Sequence, residues 1–532
     1  MKKKNIIYLS VLASTVFTLS SCNDFLDEMP DNRAEVDTEL KIQKVLVSAY
    51  PAHDYILVNE LMCDNVDRYM ANNPNTTRYA DQVYEWTDVT ETNNSSSERL
   101  WSDLYDGIAN ANLALEGIEK VGGATTKSLQ EAKAEALLCR AYAHFLLANE
   151  FCHAYGSQNA NTAMGIPYIE APVTVLDPKH ERGTIGEVYE KIDRDIQEAL
   201  PLMGSSYMTV PKYHFNSKAA YAFAARFYLY YEKWDQAVKY ANLCLGSNPG
   251  TLLRDYAALG ALASDYDVVT NHYIDTGENS NLLLLTCYAN LGYVFGNYST
   301  FKKYAHVDYI CNNETMGAKN VWGTSGFRAR YRTYNGSNSN YNIFWRFPRM
   351  FEYTDPVAGT GYYRTVYPAF TTDECLLNRA EALVMLQKYD QAAADLTMWL
   401  RNAVSTTMTL TPDNITAFYG TSVKRYCYDD TDKLFSTVKK HLHPQFTIDS
   451  EGSTQESMLQ CVLGFRRIEC MPMGIRWWDI KRYGIEIPRR TINAAGDPES
   501  NEDWLTVDDP RRAIQIPLKV RSAGLTPNPR NK

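Results

Sequence analysis

The chain has 532 residues, with 53 Lys and Arg against 63 Asp and Glu, a net charge of −10, 45% hydrophobic and 22% charged residues. That balance permits a large core and excludes a globally disordered chain, and with no basic run beyond Lys2, Lys3 and Lys4 it excludes the electrostatic footprint of a nucleic-acid binder. No stretch of about 18 uninterrupted apolar residues occurs, which excludes a multi-span membrane protein.

The chain begins with an address. Lys2-Lys3-Lys4 is a positive start, Ile6 to Leu19 an apolar run, and Leu19-Ser20-Ser21 leads directly into Cys22. A short apolar run behind positive charges, ending in small residues, describes a secretory signal peptide rather than a spanning helix. The cysteine at the cut is that of a bacterial lipoprotein signal. Residues 1–21 are therefore expected to be removed and Cys22 to be lipidated, since more than one acyl chain, at roughly 0.8 kcal/mol per buried CH₂, anchors a protein stably. Residues 22–35, with Asp24, Asp27, Glu28 and Pro30, read as a polar tether, and residues 22–532 as a single large domain.

Residues 59–100 are rich in Asn, Asp, Thr and Ser and end in Asn93-Asn94-Ser95-Ser96-Ser97. Helical periodicity takes over from Glu131 to Phe151, where Ala134, Leu137, Leu138, Ala141, Phe145 and Ala148 form an amphipathic stripe. Helical hairpins are expected around 131–156, 185–203, 218–245 and 373–400. The last two match each other 155 positions apart: each has a helix, a Lys-aromatic-Asp-Gln-Ala turn and a returning helix, with Ala225 and Ala380 at the same small position. Repeated hairpins of this kind resemble tetratricopeptide units, which stack to bury a shared core. The fold class is thus mainly α: a tetratricopeptide-like helical-hairpin scaffold carrying long, irregular, aromatic-rich insertions. The aromatic residues of the hairpins, Tyr228, Tyr230, Tyr231, Trp234 and Tyr389, are expected to pack between helices.

The second variable region spans 250–370. Within it, residues 288–369 hold 12 of the 38 tyrosines together with Trp322 and Trp345, and show no helical periodicity. Long irregular segments in compact domains usually carry function.

Chemistry-bearing motifs are sparse. No H-E-x-x-H, G-x-S-x-G or P-loop occurs, and Gly359-Thr360-Gly361 has Arg364 where a G-x-G-x-x-G fingerprint needs its last glycine. His441 and His443 stand without neighbouring ligands at metal spacing, and Asp429, Asp430 and Asp432 lack the EF-hand pattern. No cofactor is expected, beyond an incidental structural Ca²⁺ at those aspartates. The ten cysteines after Cys22 show no repeating spacing and no C-x-x-C, and read as core thiols. A glycosidase needs only two carboxylates from anywhere in the chain, and no pair among the acidic residues stands out.

Several segments, in order along the chain, resemble the SusD/RagB family of Bacteroidetes outer-membrane lipoproteins. They are Cys22-Asn-Asp-Phe-Leu-Asp-Glu-Met-Pro30, Glu135-Ala-Leu-Leu-Cys-Arg-Ala-Tyr-Ala-His-Phe145, Gly165-Ile-Pro-Tyr168 and Thr372-Asp-Glu-Cys-Leu-Leu-Asn-Arg-Ala-Glu-Ala382. Arg466-Arg-Ile-Glu469, Gly474-Ile-Arg-Trp-Trp-Asp-Ile-Lys-Arg-Tyr-Gly484, Ile514-Gln-Ile-Pro517 and Pro527-Asn-Pro529 complete the series. The acidic run after the cysteine is only partial. The resemblance implies an outer-membrane location facing the cell exterior, a SusC-type TonB-dependent transporter as partner, and ligand capture without catalysis. Most relatives take glycans and RagB-like ones take peptides; a surface glycosidase is the remaining alternative.

Glycan recognition needs flat aromatic surfaces for the C–H face of a pyranose and planar polar side chains for its hydroxyls, because a buried hydroxyl left unpaired costs roughly 1–3 kcal/mol. The two variable regions supply both. Asp64, Arg68, Arg78 and Trp86 are the candidates in the first, beside Asn65 and Asp67. Tyr288, Trp322, Arg328, Tyr331 and Tyr334 are the candidates in the second, beside Tyr293. Trp477, Trp478, Arg466, Glu469 and Arg476 are expected to be structural.

Overall fold

The computed structural model describes residues 35–172, 180–296, 302–324, 326–328, 331–336, 339–429 and 431–530. The expected signal peptide, Cys22, nearly all of the tether, Tyr293's side chain and Asp430 lie outside what it describes.

After three short helices, Glu39–Leu46, Ile56–Met62 and Arg78–Tyr84, the helical scaffold continues in a long antiparallel pair, α1 (Ser97–Lys120) and α2 (Lys127–Phe151). Each start is capped by a hydroxyl that satisfies a free backbone N–H: Ser96 Oγ accepts from Arg99 N at 3.2 Å, and Thr126 Oγ1 from Leu129 N at 3.1 Å. Leu100, Leu104, Ile108, Ala111, Ala114 and Ile118 give α1 one buried stripe, whereas α2 is buried almost all round from Glu131 onward. The segment 131–156 is therefore not a hairpin by itself. It is the second arm of one whose first arm begins inside the Asn- and Ser-rich stretch, where Ser96 is a cap rather than part of a loop.

Helix α3 (Ile185–Ala199) opens with a Thr184–Glu187 capping box. The two repeated hairpins follow as α4 (Ser217–Tyr230) with α5 (Trp234–Leu245), and α6 (Thr372–Met385) with α7 (Tyr389–Ala403). Their turns coincide in detail. Glu232 and Gln387 both adopt left-handed backbone, at φ +59° and +57°. In each turn the following lysine N–H reaches back, Lys233 to Tyr228 O at 2.9 Å and Lys388 to Leu383 O at 2.8 Å, which closes the helix end as a Schellman motif. Ala225 and Ala380 are both fully buried, and α6 packs against α5 and α7. Helices α8 (Thr454–Glu469) and α9 (Ile475–Arg482) complete the core. Trp477 and Trp478 are buried there, and Trp478 Nε1 donates to Glu150 at 2.8 Å.

Among the described residues nine strands form two sheets. The larger has the order β4-β5-β3-β1-β8-β9, with β1 Asp67–Tyr69, β3 Tyr304–Val307, β4 Tyr331–Gly336, β5 Ser339–Phe344, β8 Ile487–Ile492 and β9 Pro498–Leu505. The smaller has the order β2-β7-β6, with β2 Asn281–Tyr288, β6 Met350–Asp355 and β7 Thr360–Thr371. The stretch 288–369, expected to be irregular, thus supplies β3, β4, β5, β6 and most of β7, joined by loops and two short helices. The ten cysteines after Cys22 are all buried and unpaired, and among the described residues no helix is long and apolar enough to cross a membrane.

Candidate ligand-binding face

The structure distributes the residues singled out in the sequence over several places. Asp64 lies in the core, its carboxylate 2.8 Å from Arg476 Nε and 3.5 Å from both Arg467 and Lys440. Burial alone would push this carboxyl up; the Arg467 and Arg476 guanidiniums hold it well below the usual carboxylate range. Trp86 is only 4% exposed. Its Nε1 donates to Met62 O at 3.0 Å, and the Arg489 guanidinium lies 3.7 Å over its ring. Both residues are corrected from ligand surface to core, where charge pairing and ring stacking leave them nothing to offer a ligand. Arg466, Glu469 and Arg476 are buried and partnered within the same interior, as expected.

Arg68 is paired with Glu85 and Glu502, and Arg78 is exposed beside Glu91 and Thr90. Trp322 is half-buried against Phe465, at 5.4 Å between ring centroids. Arg328 is anchored near it, through its backbone N–H to Ala403 O at 2.9 Å. Tyr331 and Tyr334 stand in β4 opposite Phe344 and Tyr341, and their side chains lie outside what the structure describes. These positions do not converge.

Among the candidates whose side chains are described, Tyr288 stands in an aromatic cluster that faces solvent. It ends β2, and antiparallel pairing sets it opposite Arg364 of β7, which in turn stands opposite Met350 of β6. Directly paired residues share one face of a sheet, so Tyr288, Arg364, Tyr362, Met350 and Glu352 come together on one side. The contacts agree. Arg364 lies 4.5 Å over the Tyr288 ring, its Nη1 donates to Glu352 at 2.6 Å, and Tyr362 meets Tyr288 edge to face at 5.7 Å.

Beneath the cluster, Tyr288 N donates to Ala52 O at 2.8 Å and its ring rests on His53 at 5.5 Å. Asp103 of α1 fixes that support by accepting from the backbone N–H groups of Ala52 and His53, at 2.8 and 3.0 Å. Tyr288 is therefore a buttress, with one face under a guanidinium. The ring presented outward is that of Tyr362, 47% exposed, flanked by the planar Glu352–Arg364 pair. The arrangement can stack a flat apolar surface and exchange hydrogen bonds with adjacent hydroxyls. Among the described residues no cluster of three or more His, Cys, Asp or Glu could hold a metal ion.

A separate cavity of about 440 Å³ lies between α1 and residues 167–171 and 520–525, walled by Trp101, Tyr105, Ile169, Val520 and Leu525. Its walls are mostly apolar, so a polyhydroxylated ligand entering it would leave hydroxyls unpaired, at roughly 1–3 kcal/mol each. The sheet face suits such a ligand better.

The residues missed in the sequence, Glu352, Tyr362 and Arg364, lay in the tyrosine-rich region all along. Their signal was a hairpin pattern: Met-Phe-Glu-Tyr and Gly-Tyr-Tyr-Arg around Asp355-Pro356 and Gly359, two short aromatic runs separated by turn residues.

Comparisons with known proteins bear on the same architecture. Residues 24–229 match a family model described as starch-binding and associating with the outer membrane, and residues 288–513 match the model of the SusD family. None of the curated proteins searched matches the sequence. Solved structures similar to this one include a SusD superfamily protein from Bacteroides thetaiotaomicron, at TM-score 0.61 and 17% identity, covering 93% of this chain and 100% of its own. A candidate sugar-binding protein from Bacteroides vulgatus has TM-score 0.66 and 17% identity, covering 93% and 99%. A SusD-like carbohydrate-binding protein from the same organism has TM-score 0.58 and 15% identity, covering 91% and 96%. At these identities the structural likeness is one of fold.

Proposed function

The chain belongs to the SusD/RagB family, a family of binding proteins rather than enzymes, and we propose that it captures oligosaccharides or polysaccharides at the cell surface through the Tyr362 face. The observation that carries this reading is the half-exposed Tyr362 ring, buttressed by Tyr288 and flanked by the Glu352–Arg364 pair. A pyranose laid on that ring buries its C–H face, while carboxylate and guanidinium meet the equatorial hydroxyls on either side. The face is open, so binding exchanges water for ligand without enclosing it, and release needs no rearrangement.

Delivery completes the proposal. The Cys22 lipid would hold the body on the outer leaflet of the outer membrane, facing outward, where a SusC-type TonB-dependent transporter would take over the captured glycan. The signal-type N-terminus and the matched family descriptions support this placement. The protein would act by capture alone, with no cofactor.

Calorimetric titration against a panel of plant, fungal and host glycans, with product analysis afterwards, tests the reading. Saturable binding without cleavage is expected, and Tyr362→Ala should weaken it about tenfold, roughly 1.4 kcal/mol. Binding to mixed peptides only would move the protein to peptide uptake, and released sugars would make it a hydrolase.

A further inference from the structure

The ribbon formed by β6 and β7 has a second face, and it too is uncovered. All six residues of β6 are exposed. On the side opposite Tyr362 stand Phe351, Tyr353 and Tyr363, with Phe351 paired to Tyr363 and Tyr353 to Gly361. Their rings touch edge to face, Phe351 meeting Tyr353 at 4.9 Å and Tyr363 at 5.0 Å. Phe351 is 37% exposed and Tyr353 59% exposed.

Two details show how the rings come to face outward. A Cβ at Gly361 would collide with the Glu352 backbone oxygen and lie 2.9 Å from the Phe351 ring, so only glycine lets β6 and that ring lie this close to β7. Arg349 donates to the Tyr363 hydroxyl at 2.6 Å and lies 4.7 Å over its ring, which fixes the inner member of the trio. Among the described residues the outer edge of β6 pairs with no other strand, and it carries neither Lys nor Pro between Met350 and Asp355. Natural edge strands are usually blunted by such residues. This one keeps backbone donors and acceptors available between two aromatic faces.

We propose that the reverse face is a second stacking platform of the same binding site, and that the ligand is an uncharged glycan chain that passes around the β6 edge to touch both faces. This rests on the glycan reading above and deepens it. The charge balance selects the chemical class. Between Arg349 and Arg364 the ribbon carries those two arginines against Glu352 and Asp355. Arg364 is already paired with Glu352, and Asp355 is occupied by the backbone N–H groups of Val357 and Ala358. A uronic-acid or sulfated chain would find no surplus of positive charge, whereas a neutral chain finds rings on both sides and backbone groups between them. Short oligomers reach one face; longer ones reach both.

The test uses ladders of malto-, cello-, xylo- and arabino-oligosaccharides from disaccharide to octasaccharide, with polygalacturonate and chondroitin sulfate as acidic counterparts. Affinities are measured calorimetrically for the protein and for Phe351→Ala, Tyr353→Ala and Tyr362→Ala, each checked for folding by circular dichroism. One neutral ladder should bind, with affinity rising about tenfold along it. Tyr353→Ala and Phe351→Ala should abolish that rise while leaving the shortest binding oligomer unaffected. Tyr362→Ala should weaken every length. Wild-type affinity of the Tyr353 and Phe351 variants for long chains, beside a deficient Tyr362 variant, would overturn the second platform and leave the glycan reading standing. A loss confined to the Tyr353 and Phe351 variants would overturn the Tyr362 platform instead. Preference for the acidic polymers, or no carbohydrate bound at all, would overturn the inference.

Discussion

At the scale of single residues, burial decides what a side chain can do, and composition does not reveal burial. Asp64 and Tyr288 both stand in polar, aromatic surroundings in the sequence; one is locked among Arg467, Arg476 and Lys440, and the other supports an open face. The neighbouring Asp54 shows the electrostatic consequence. It accepts from Leu57 N at 3.0 Å at the start of a buried helix, and burial pushes its carboxyl up to about 6. The folded state therefore holds this proton more tightly than the unfolded chain does. Its contribution to stability is full below about pH 4 and falls away as pH rises through about 6. In Asp54→Asn, which keeps an oxygen to accept from Leu57, the loss of stability between pH 4 and pH 8 should shrink by up to about 3 kcal/mol. Urea melts across that range measure it, and an unchanged pH profile would contradict the assignment.

At the scale of elements, the repeated hairpins show what local sequence can specify. The matching segments at 218–245 and 373–400 fold into helix pairs with the same left-handed residue and the same Schellman closure, although glycine stands at neither turn. Those features are local, resting on contacts within a few residues, so they were legible. Ala380 marks where locality ends: it is small because α6 is pressed against its neighbours on several sides. Ala380→Leu should overfill that seam and lower stability by about 1–3 kcal/mol, read as a drop in the urea midpoint with little change in slope. The long strands were less legible. Short aromatic runs such as Met350–Tyr353 alternate only briefly, and in β7 the residues Val366 to Phe370 run together because that end of the strand is buried on both faces.

At the scale of the whole molecule, one buried ion cluster joins segments that are far apart in the chain. Glu314 accepts from Ser436, Lys440 and Arg467 at 2.7–2.8 Å and from Arg490 at 3.1 Å, while Arg467 and Arg490 also reach Asp64 and Asp67. Despite burial, the surrounding cations hold the Glu314 carboxyl far below its ordinary range. The cluster spans both segments matched by family models, so the chain should unfold as one body. Glu314→Gln, which takes from Lys440, Arg467 and Arg490 the carboxylate they share and leaves them only Asp64 and Asp67, should cost about 3–5 kcal/mol; circular dichroism and tryptophan fluorescence should report the same shifted transition, and separate transitions would show that the two segments fold independently. By itself the sequence determined the helical class, the repeated hairpins and the family, because these depend on periodicity, turn chemistry and short ordered motifs read along the chain. Only the tertiary structure decided which polar and aromatic residues are exposed, because that depends on strand pairing between β2, β6 and β7 and on charges brought together across hundreds of residues. The proposed binding face followed from that pairing: Tyr288 was found by composition, but Tyr362, Glu352 and Arg364 joined it through antiparallel register.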